Sequence, residues 1–157
     1  MKTTTWLAGG ALTLAAAAAF SLQSLPAEGQ QPLPTMVVYK SPACGCCQNW
    51  IQHMRVAGFE AKVENVENIG AIKGTHGVSE TLASCHTALV GGYVVEGHVP
   101  ADVVKRLLKE RPKVAGITVP GMPIGSPGME APDGRVQPYE ILTFDREGKT
   151  TVYASRR

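Results

Sequence analysis

The pattern of apolar and polar residues predicts a strand, a helix and a second strand between residues 35 and 64. Residues 35–40 are a short β-rich run bounded by Ser41-Pro42, which is typical of a strand. From residue 48 to residue 57, apolar side chains recur at helical spacing, and Gly58 follows where a helix C-cap is expected. Residues 59–64 alternate apolar and charged side chains, which indicates a second strand. Together the segments predict a βαβ unit with parallel strands and a right-handed crossover.

The rest of the chain predicts short helices, two hairpins and one amphipathic helix. Gly91-Gly92 between two apolar runs is typical of a tight hairpin turn. The predicted elements are one or two weak helices within residues 67–83, strands at 87–90 and 93–96, a helix at 100–110, and strands at 140–144 and 150–153. We therefore expect an α/β fold with a mixed sheet and flanking helices.

A long loop rich in proline and glycine is predicted at residues 112–138. Eleven of its 27 residues are Pro or Gly, and it contains Met122 and Met129. Long loops in small domains are either functional or disordered. Because the prolines limit backbone freedom, we expect a shaped, functional loop.

The first 27 residues have the pattern of a signal peptide. Lys2 gives a positive start, and residues 6–20 are a charge-free, apolar stretch of 15 residues. A membrane-spanning helix needs about 20 apolar residues, so this stretch is short for an anchor and suits a signal peptide. We expect export to the periplasm, a disordered leader at residues 28–34, and one domain at residues 35–157.

The charge balance predicts no nucleic-acid partner. The chain has 15 Lys+Arg and 13 Asp+Glu, and loss of Lys2 with the signal peptide leaves 14 against 13, a net charge of +1. A nucleic-acid-binding domain carries a basic surface, which this balance does not supply. Nothing after residue 27 is apolar over a length that would cross a membrane, so we expect no membrane association after cleavage.

Three of the four cysteines stand together as Cys44-Gly45-Cys46-Cys47, at the predicted start of the first helix. Four cysteines in an exported protein ordinarily suggest two disulfides, but adjacent cysteines bridge one another only with strain. A C-x-x-C between a strand and a helix is the arrangement of thioredoxin-like folds, in which the helix N-terminus favours the thiolate. Since thiolates both attack disulfides and bind soft metals, the motif leaves both functions open.

Three further features favour a metal site, and specifically copper. Cys46 adds a third sulfur, which an exchange enzyme does not need. Residues 84–87, expected to face the cysteines, offer Cys85 and His86 where an exchange enzyme carries a proline. Met122 and Met129 supply thioethers, which suit Cu(I). Adjacent strand residues face opposite ways, so Cys85 and His86 can share one ion only outside a regular strand, or if two ions are bound.

The other three histidines differ in how close they can lie to the cysteines. His53 lies seven residues after Cys46, roughly 10 Å along a helix, so it is predicted to be a surface residue and not a ligand. His76 is predicted to lie in a solvated turn. His98 ends a hairpin and precedes a helix, where it could face the site.

Four separated motifs carry a resemblance to a known family: Cys44-Gly45-Cys46-Cys47, Ser84-Cys85-His86-Thr87, Glu96-Gly97-His98-Val99-Pro100 and residues 119–130. From about Met36 to Tyr153, the chain resembles the CopG-type family, small periplasmic proteins of copper-resistance gene clusters. The resemblance implies a thioredoxin-like fold that binds one or several copper ions at the Cys-x-Cys-Cys cluster, with help from Cys, His and Met elsewhere. It also implies a Cu(I)/Cu(II) redox role.

The sequence therefore predicts a thioredoxin-like, periplasmic copper-binding protein involved in copper homeostasis or resistance, with copper and other periplasmic copper-handling proteins as partners. The candidate ligands are Cys44, Cys46, Cys47, Cys85, His86, His98, Met122 and Met129. Two alternatives stay open: a thiol–disulfide oxidoreductase that uses Cys44 and Cys47, and a structural or zinc-bound interaction module. Whether the protein is an enzyme is left open by the sequence.

Overall fold

The structure, a computed structural model, describes residues 32–157. The predicted signal peptide at residues 1–27 and residues 28–31 of the predicted leader lie outside the described residues. Leu33, near the end of that leader, packs against the hydrophobic core of the domain and lies close to Gly58. None of the described helices is both long and apolar enough to span a bilayer.

Seven strands form one mixed sheet in the order β2-β1-β3-β4-β5-β6-β7. Three α-helices and one short 3₁₀-helix complete the described secondary structure. The strands are β1 (Met36–Lys40), β2 (Ala61–Asn65), β3 (His86–Val90), β4 (Tyr93–Glu96), β5 (Gly116–Thr118), β6 (Tyr139–Phe144) and β7 (Thr150–Arg156). The helices are α1 (Gly45–Val56), α2 (Ile69–Thr75), α3 (Ala101–Glu110) and the 3₁₀-helix Glu80–Leu82.

The strand pairing confirms the predicted βαβ unit and both predicted hairpins. β1 and β2 are parallel neighbours, whereas β3 pairs antiparallel with both β1 and β4. β6 and β7 form the second antiparallel hairpin, with an irregularity between Ile141 and Leu142. The mixed α/β architecture predicted from the sequence is therefore confirmed.

One strand was missed, because β5 lies inside the segment predicted to be a loop from residue 112. β5 pairs parallel with β4 and antiparallel with β6. Its first residue must be small, since a Cβ on Gly116 would lie 2.2 Å from the carbonyl oxygen of Val94. The close approach of two backbones explains why this strand begins with a glycine, a residue that ordinarily indicates a turn.

The core lies between the sheet and the apolar faces of α1 and α3. Trp50, Ile51 and Met54 of α1 are fully buried, as the helical spacing predicted. The indole Nε1–H of Trp50 donates a hydrogen bond to the carbonyl oxygen of Val99 at 2.9 Å, just before α3. This bond joins the helix that carries the cysteines to the turn that carries His98.

Candidate metal centre

The cysteine cluster lies at the N-terminus of α1, which begins at Gly45, three residues earlier than predicted. Cys44 is the N-cap residue, and its Sγ accepts a hydrogen bond from the backbone N–H of Cys47 at 3.3 Å. Cys44 and Cys47 are joined by a disulfide, while Cys46 and Cys85 are free thiols. Helix N-termini favour negative charge, so the cluster is placed where thiolates are stabilised.

Cys85 faces this cluster, as predicted for the segment at residues 84–87. Its Sγ lies 3.8 Å from the Sγ of Cys46, which in turn lies 3.5 Å from the Sγ of Cys44. The Sγ of Cys47 lies 3.8 Å from the carbonyl oxygen of Cys85. All four sulfur atoms are within 4.8 Å of one another. They could therefore share a soft metal ion if the disulfide were reduced.

Two histidines lie close to the sulfur atom of Cys85. The Sγ of Cys85 lies 3.0 Å from Nε2 of His98 and 3.3 Å from Nδ1 of His86. Cys85 precedes β3 and lies outside the strand, so Cys85 and His86 point towards a common place although they are adjacent in sequence. Cys85, His86 and His98 form a second possible group of metal ligands, which shares Cys85 with the four sulfurs.

The long loop fixes the tautomer of His98. Nδ1 of His98 lies 2.7 Å from the carbonyl oxygen of Pro127. A carbonyl oxygen only accepts hydrogen bonds, so Nδ1 carries the proton and Nε2 presents its lone pair towards Cys85. Burial lowers the pKa of His98, with the Pro127 carbonyl and Glu130 opposing. The neutral ring with a free Nε2 is the form that binds metal.

His86 is held by packing and has an unpaired nitrogen. Its ring is fully buried, with ring centroids 4.3 Å from Trp50 and 5.1 Å from His98. Burial holds the pKa of His86 well below its usual value, helped by His98 and Lys73. Nε2 has no hydrogen-bond partner, an arrangement that costs about 1–3 kcal/mol. The nitrogen of His86 that lies near a candidate ligand atom is the other one, Nδ1, at 3.3 Å from the Sγ of Cys85.

The thiol of Cys85 is protonated in the metal-free protein at neutral pH. Burial raises its pKa to about 12, and the neighbouring Cys46 adds to the shift. Metal ions bind the thiolate, so a bound cation would have to displace this proton. The donor set of thiols and neutral imidazoles therefore fits a soft or borderline cation and offers little to Ca²⁺ or Mg²⁺, which prefer oxygen.

Comparisons with known proteins show which family this chain resembles. Residues 82–129 match the family described as "Protein of unknown function, DUF411". A solved structure described as copper resistance protein copG, form 2, is 39% identical; the match covers 81% of this chain and 100% of that chain, with a TM-score of 0.76. Form 1 is 40% identical over 80% of this chain and 98% of that chain, with a TM-score of 0.74. This chain belongs to the CopG-type copper-resistance family. The search of curated proteins gave no significant match.

The predicted methionine ligands of this CopG-type chain lie on the loop at residues 119–138. The loop is shaped by backbone hydrogen bonds such as Gly125 N–H to Met129 O at 2.8 Å. Gly128 lies against α1, where a Cβ would stand 2.8 Å from the carbonyl oxygen of Cys46. Met129 directly follows the glycine that contacts α1, whereas Met122 is 51% exposed.

His53 is half-buried, which differs from its prediction as a surface residue. Its Nε2 accepts a hydrogen bond from the backbone N–H of Ala101 at 3.1 Å. Ala101 is the first residue of α3, and the N-cap Pro100 makes no side-chain cap. Burial lowers the pKa of His53 and so favours the neutral, accepting form, against Glu130 and Asp102. In the part of the chain that the structure describes, His53 is in neither group of possible ligands.

His53→Ala is expected to lower the free energy of unfolding by about 1 kcal/mol, the usual value of a helix N-cap, and to leave the copper stoichiometry unchanged. Chemical denaturation and metal analysis would measure the two effects. His76→Ala is the control, because His76 is at the C-cap of α2 and stacks only on Tyr39 at 6.4 Å. A lower copper stoichiometry in His53→Ala would contradict the conclusion that His53 caps α3 and is not a copper ligand.

Two other features of the site were not predicted from the sequence. One is the contact between the carbonyl oxygen of Pro127 and His98, because every residue has a backbone carbonyl and the residue pattern does not show which one meets a given side chain. The other is a buried ion pair between Lys73 and Glu96. Glu96 ends a strand whose other three residues are apolar, and this charged position was the only available signal.

Proposed function

We propose that this protein binds copper at the centre around Cys85 and that it functions in periplasmic copper homeostasis or resistance. The observation that carries the proposal is the position of Cys85 Sγ, which belongs both to the four-sulfur group and to the group with two imidazoles. A thiolate can bridge two metal ions, so the two groups together have room for more than one copper ion. The proposed ligands are Cys44, Cys46, Cys47, Cys85, His86 and His98, with thioether contacts from Met122 and Met129.

The redox state of Cys44 and Cys47 decides how many ligands are available. While Cys44 and Cys47 form the disulfide, the ligands that can still bind a metal ion are Cys46, Cys85 and the two imidazoles. Reduction adds two thiolates at the helix N-terminus, where their charge is favoured. A redox role follows the same chemistry: the dithiol can give two electrons to two Cu(II) ions, which yields the disulfide, two Cu(I) ions and two protons.

The fold supports the thioredoxin-like part of the proposal. β1, α1 and β2 form a βαβ unit, and β3, β4 and α3 complete a core with the strand order β2-β1-β3-β4. The C-x-x-C cysteines lie at the start of α1, where thioredoxin-like proteins carry their redox pair. Periplasmic location rests on the signal-peptide pattern of residues 1–27.

Thiol–disulfide exchange is the second candidate function, and the Cys44–Cys47 disulfide favours it. Cys44 is partly exposed, as an attacking cysteine must be, while Cys47 is buried. However, Cys46 and Cys85 lie beside the disulfide with free thiols. Both would compete with a substrate for the same sulfurs, which suits a metal centre better than an exchange enzyme.

The fully reduced protein is expected to bind Cu(I) far more tightly than Zn²⁺, because thiolates and thioethers together form a soft site. Competition against a colorimetric Cu(I) chelator, in the presence of excess Zn²⁺, would measure the preference. The matched control is the protein with its disulfide intact, which should bind less copper. Equal retention of zinc and copper would contradict the proposed function and favour a zinc-bound module.

A further inference from the structure

A buried ion pair is hydrogen-bonded to the two residues that flank Cys85 and His86. Glu96, at the end of β4, is 0% exposed, and Lys73 of α2 is 8% exposed. The ammonium of Lys73 contacts Oε1 of Glu96 and donates to Oγ1 of Thr87 at 3.2 Å. Burying two charges carries a desolvation penalty that their attraction often fails to repay. The pair is therefore weak evidence for stability by itself, and its other contacts indicate what it does.

The carboxylate of Glu96 accepts hydrogen bonds from the residue before Cys85 and from the residue after His86. Its Oε1 accepts from the backbone N–H of Ser84 at 2.7 Å, and its Oε2 accepts from the hydroxyl of Thr87 at 2.7 Å. Two residues that bracket the candidate ligands are thus held by one side chain. The ammonium of Lys73 balances the charge that these bonds require.

The carboxylate acts where the backbone ladder of the sheet stops. The last β3–β4 bond near the site runs from Gly97 N–H to the carbonyl oxygen of His86 at 3.0 Å. Ser84 and Cys85 lie beyond it, outside β3. There the Glu96 side chain takes the place of a backbone acceptor and extends the ladder by one bond. Space is tight, since a Cβ on Gly97 would lie 2.5 Å from Cβ of Ser84.

We propose that Glu96, with its charge balanced by Lys73, is a positioning residue of the metal centre that fixes Cys85 and His86 through Ser84 and Thr87. The inference rests on the proposed copper-binding function and adds a requirement to it. Residues that orient metal ligands typically change metal affinity 10–100-fold when they are replaced. The ion pair therefore restricts the conformations of residues 84–87 before a metal ion binds.

The test uses two double variants that remove both charges together, so that neither leaves an unpaired buried ion. Lys73→Met/Glu96→Met removes the acceptor for Ser84. Lys73→Met/Glu96→Gln keeps a carbonyl oxygen at the same place. Apolar replacement of a buried ion pair is often neutral or stabilising, and the glutamine keeps a hydrogen-bond acceptor for its neighbours, so both variants are expected to fold with thermal midpoints near that of the native protein.

The reduced native protein and both variants would be titrated with Cu(I) against a chelator, and with Co²⁺ as a spectroscopic probe of thiolate number and geometry. We expect the methionine variant to bind Cu(I) about 10–100-fold more weakly, with altered Co²⁺ bands. The glutamine variant is expected to recover most of both properties. As a matched control, Arg106→Met/Glu110→Met removes the exposed ion pair on α3 and should leave both readouts unchanged.

The outcomes separate the positioning role from a structural one. Native affinity and native Co²⁺ bands in the methionine variant would overturn the inference and leave the proposed function standing. Equal losses in the two Lys73/Glu96 variants, in step with lowered thermal midpoints, would also overturn it, because the pair would then act only through stability. A native protein that binds neither ion would overturn the proposed function, and this inference with it.

Discussion

Replacing Cys85 with serine is expected to abolish copper binding, because Cys85 belongs to both groups of candidate ligands. A serine hydroxyl is a hard, weakly acidic donor, so the substitution removes the one sulfur that both groups share. We expect a loss of Cu(I) affinity greater than about 100-fold, the upper value for residues that only support metal ligands. Chelator competition and metal analysis of the purified variant would measure the loss.

Cys46→Ser is the matched control for this substitution. Cys46 belongs to the four-sulfur group but not to the group of Cys85, His86 and His98. It should therefore lower the copper stoichiometry without removing all binding. Cys85 is partly buried, so circular dichroism should accompany both variants to show that the fold is retained. Unchanged copper binding by a folded Cys85→Ser protein would refute the site as proposed.

Cys46→Ala is expected to separate the two candidate functions. In a metal centre Cys46 is a ligand, with its sulfur 3.5 Å from that of Cys44 and 3.8 Å from that of Cys85. Its loss should therefore lower the copper stoichiometry. In an exchange enzyme it is a bystander, because the disulfide joins Cys44 and Cys47, and the variant should keep full exchange activity.

The measurement is insulin reduction with and without copper, beside metal analysis of the same samples. We expect the native protein to turn over slowly, and copper to slow it further because a coordinated thiolate is a poorer nucleophile. Cys47→Ser is the control that should remove exchange, because it breaks the Cys44–Cys47 pair, and should lower the copper stoichiometry as Cys46→Ala does. Strong turnover by the native protein, Cys46→Ala and Cys85→Ala, unaffected by copper, would identify a redox enzyme and overturn the copper-binding function.

The sequence was sufficient for elements whose signal is local. Period-two and helical spacing predicted β1, α1, β2, both hairpins and α3, because each buries one regularly spaced face. The grouping of Cys44, Cys46 and Cys47 followed from their proximity in the chain. The expected position of Cys85 opposite them followed from the thioredoxin-like fold, in which the loop before the next hairpin faces the cysteines.

Tertiary structure decided what depends on distant partners. β5 is too short, and too close to glycine and proline, to be distinguished from a loop, and only its pairing with β4 and β6 defines it. Helix spacing argued against His53 as a ligand and left His98 open, but neither contact partner could be predicted. The turn after β4 brings Nε2 of His98 to 3.0 Å from the Sγ of Cys85. Nε2 of His53 instead accepts a hydrogen bond from the first backbone N–H of α3.

Protonation and preorganisation were also decided by the tertiary structure. The tautomer of His98 depends on the carbonyl of Pro127, which is 29 residues away in the chain. Ser84 and Thr87 are positioned by hydrogen bonds to the carboxylate of Glu96. The charge of that carboxylate is balanced by Lys73, which lies on another element. A sequence pattern records which side chains are apolar and how they are spaced. It does not record which polar atoms meet after folding, because those contacts join segments that have no local periodicity in common.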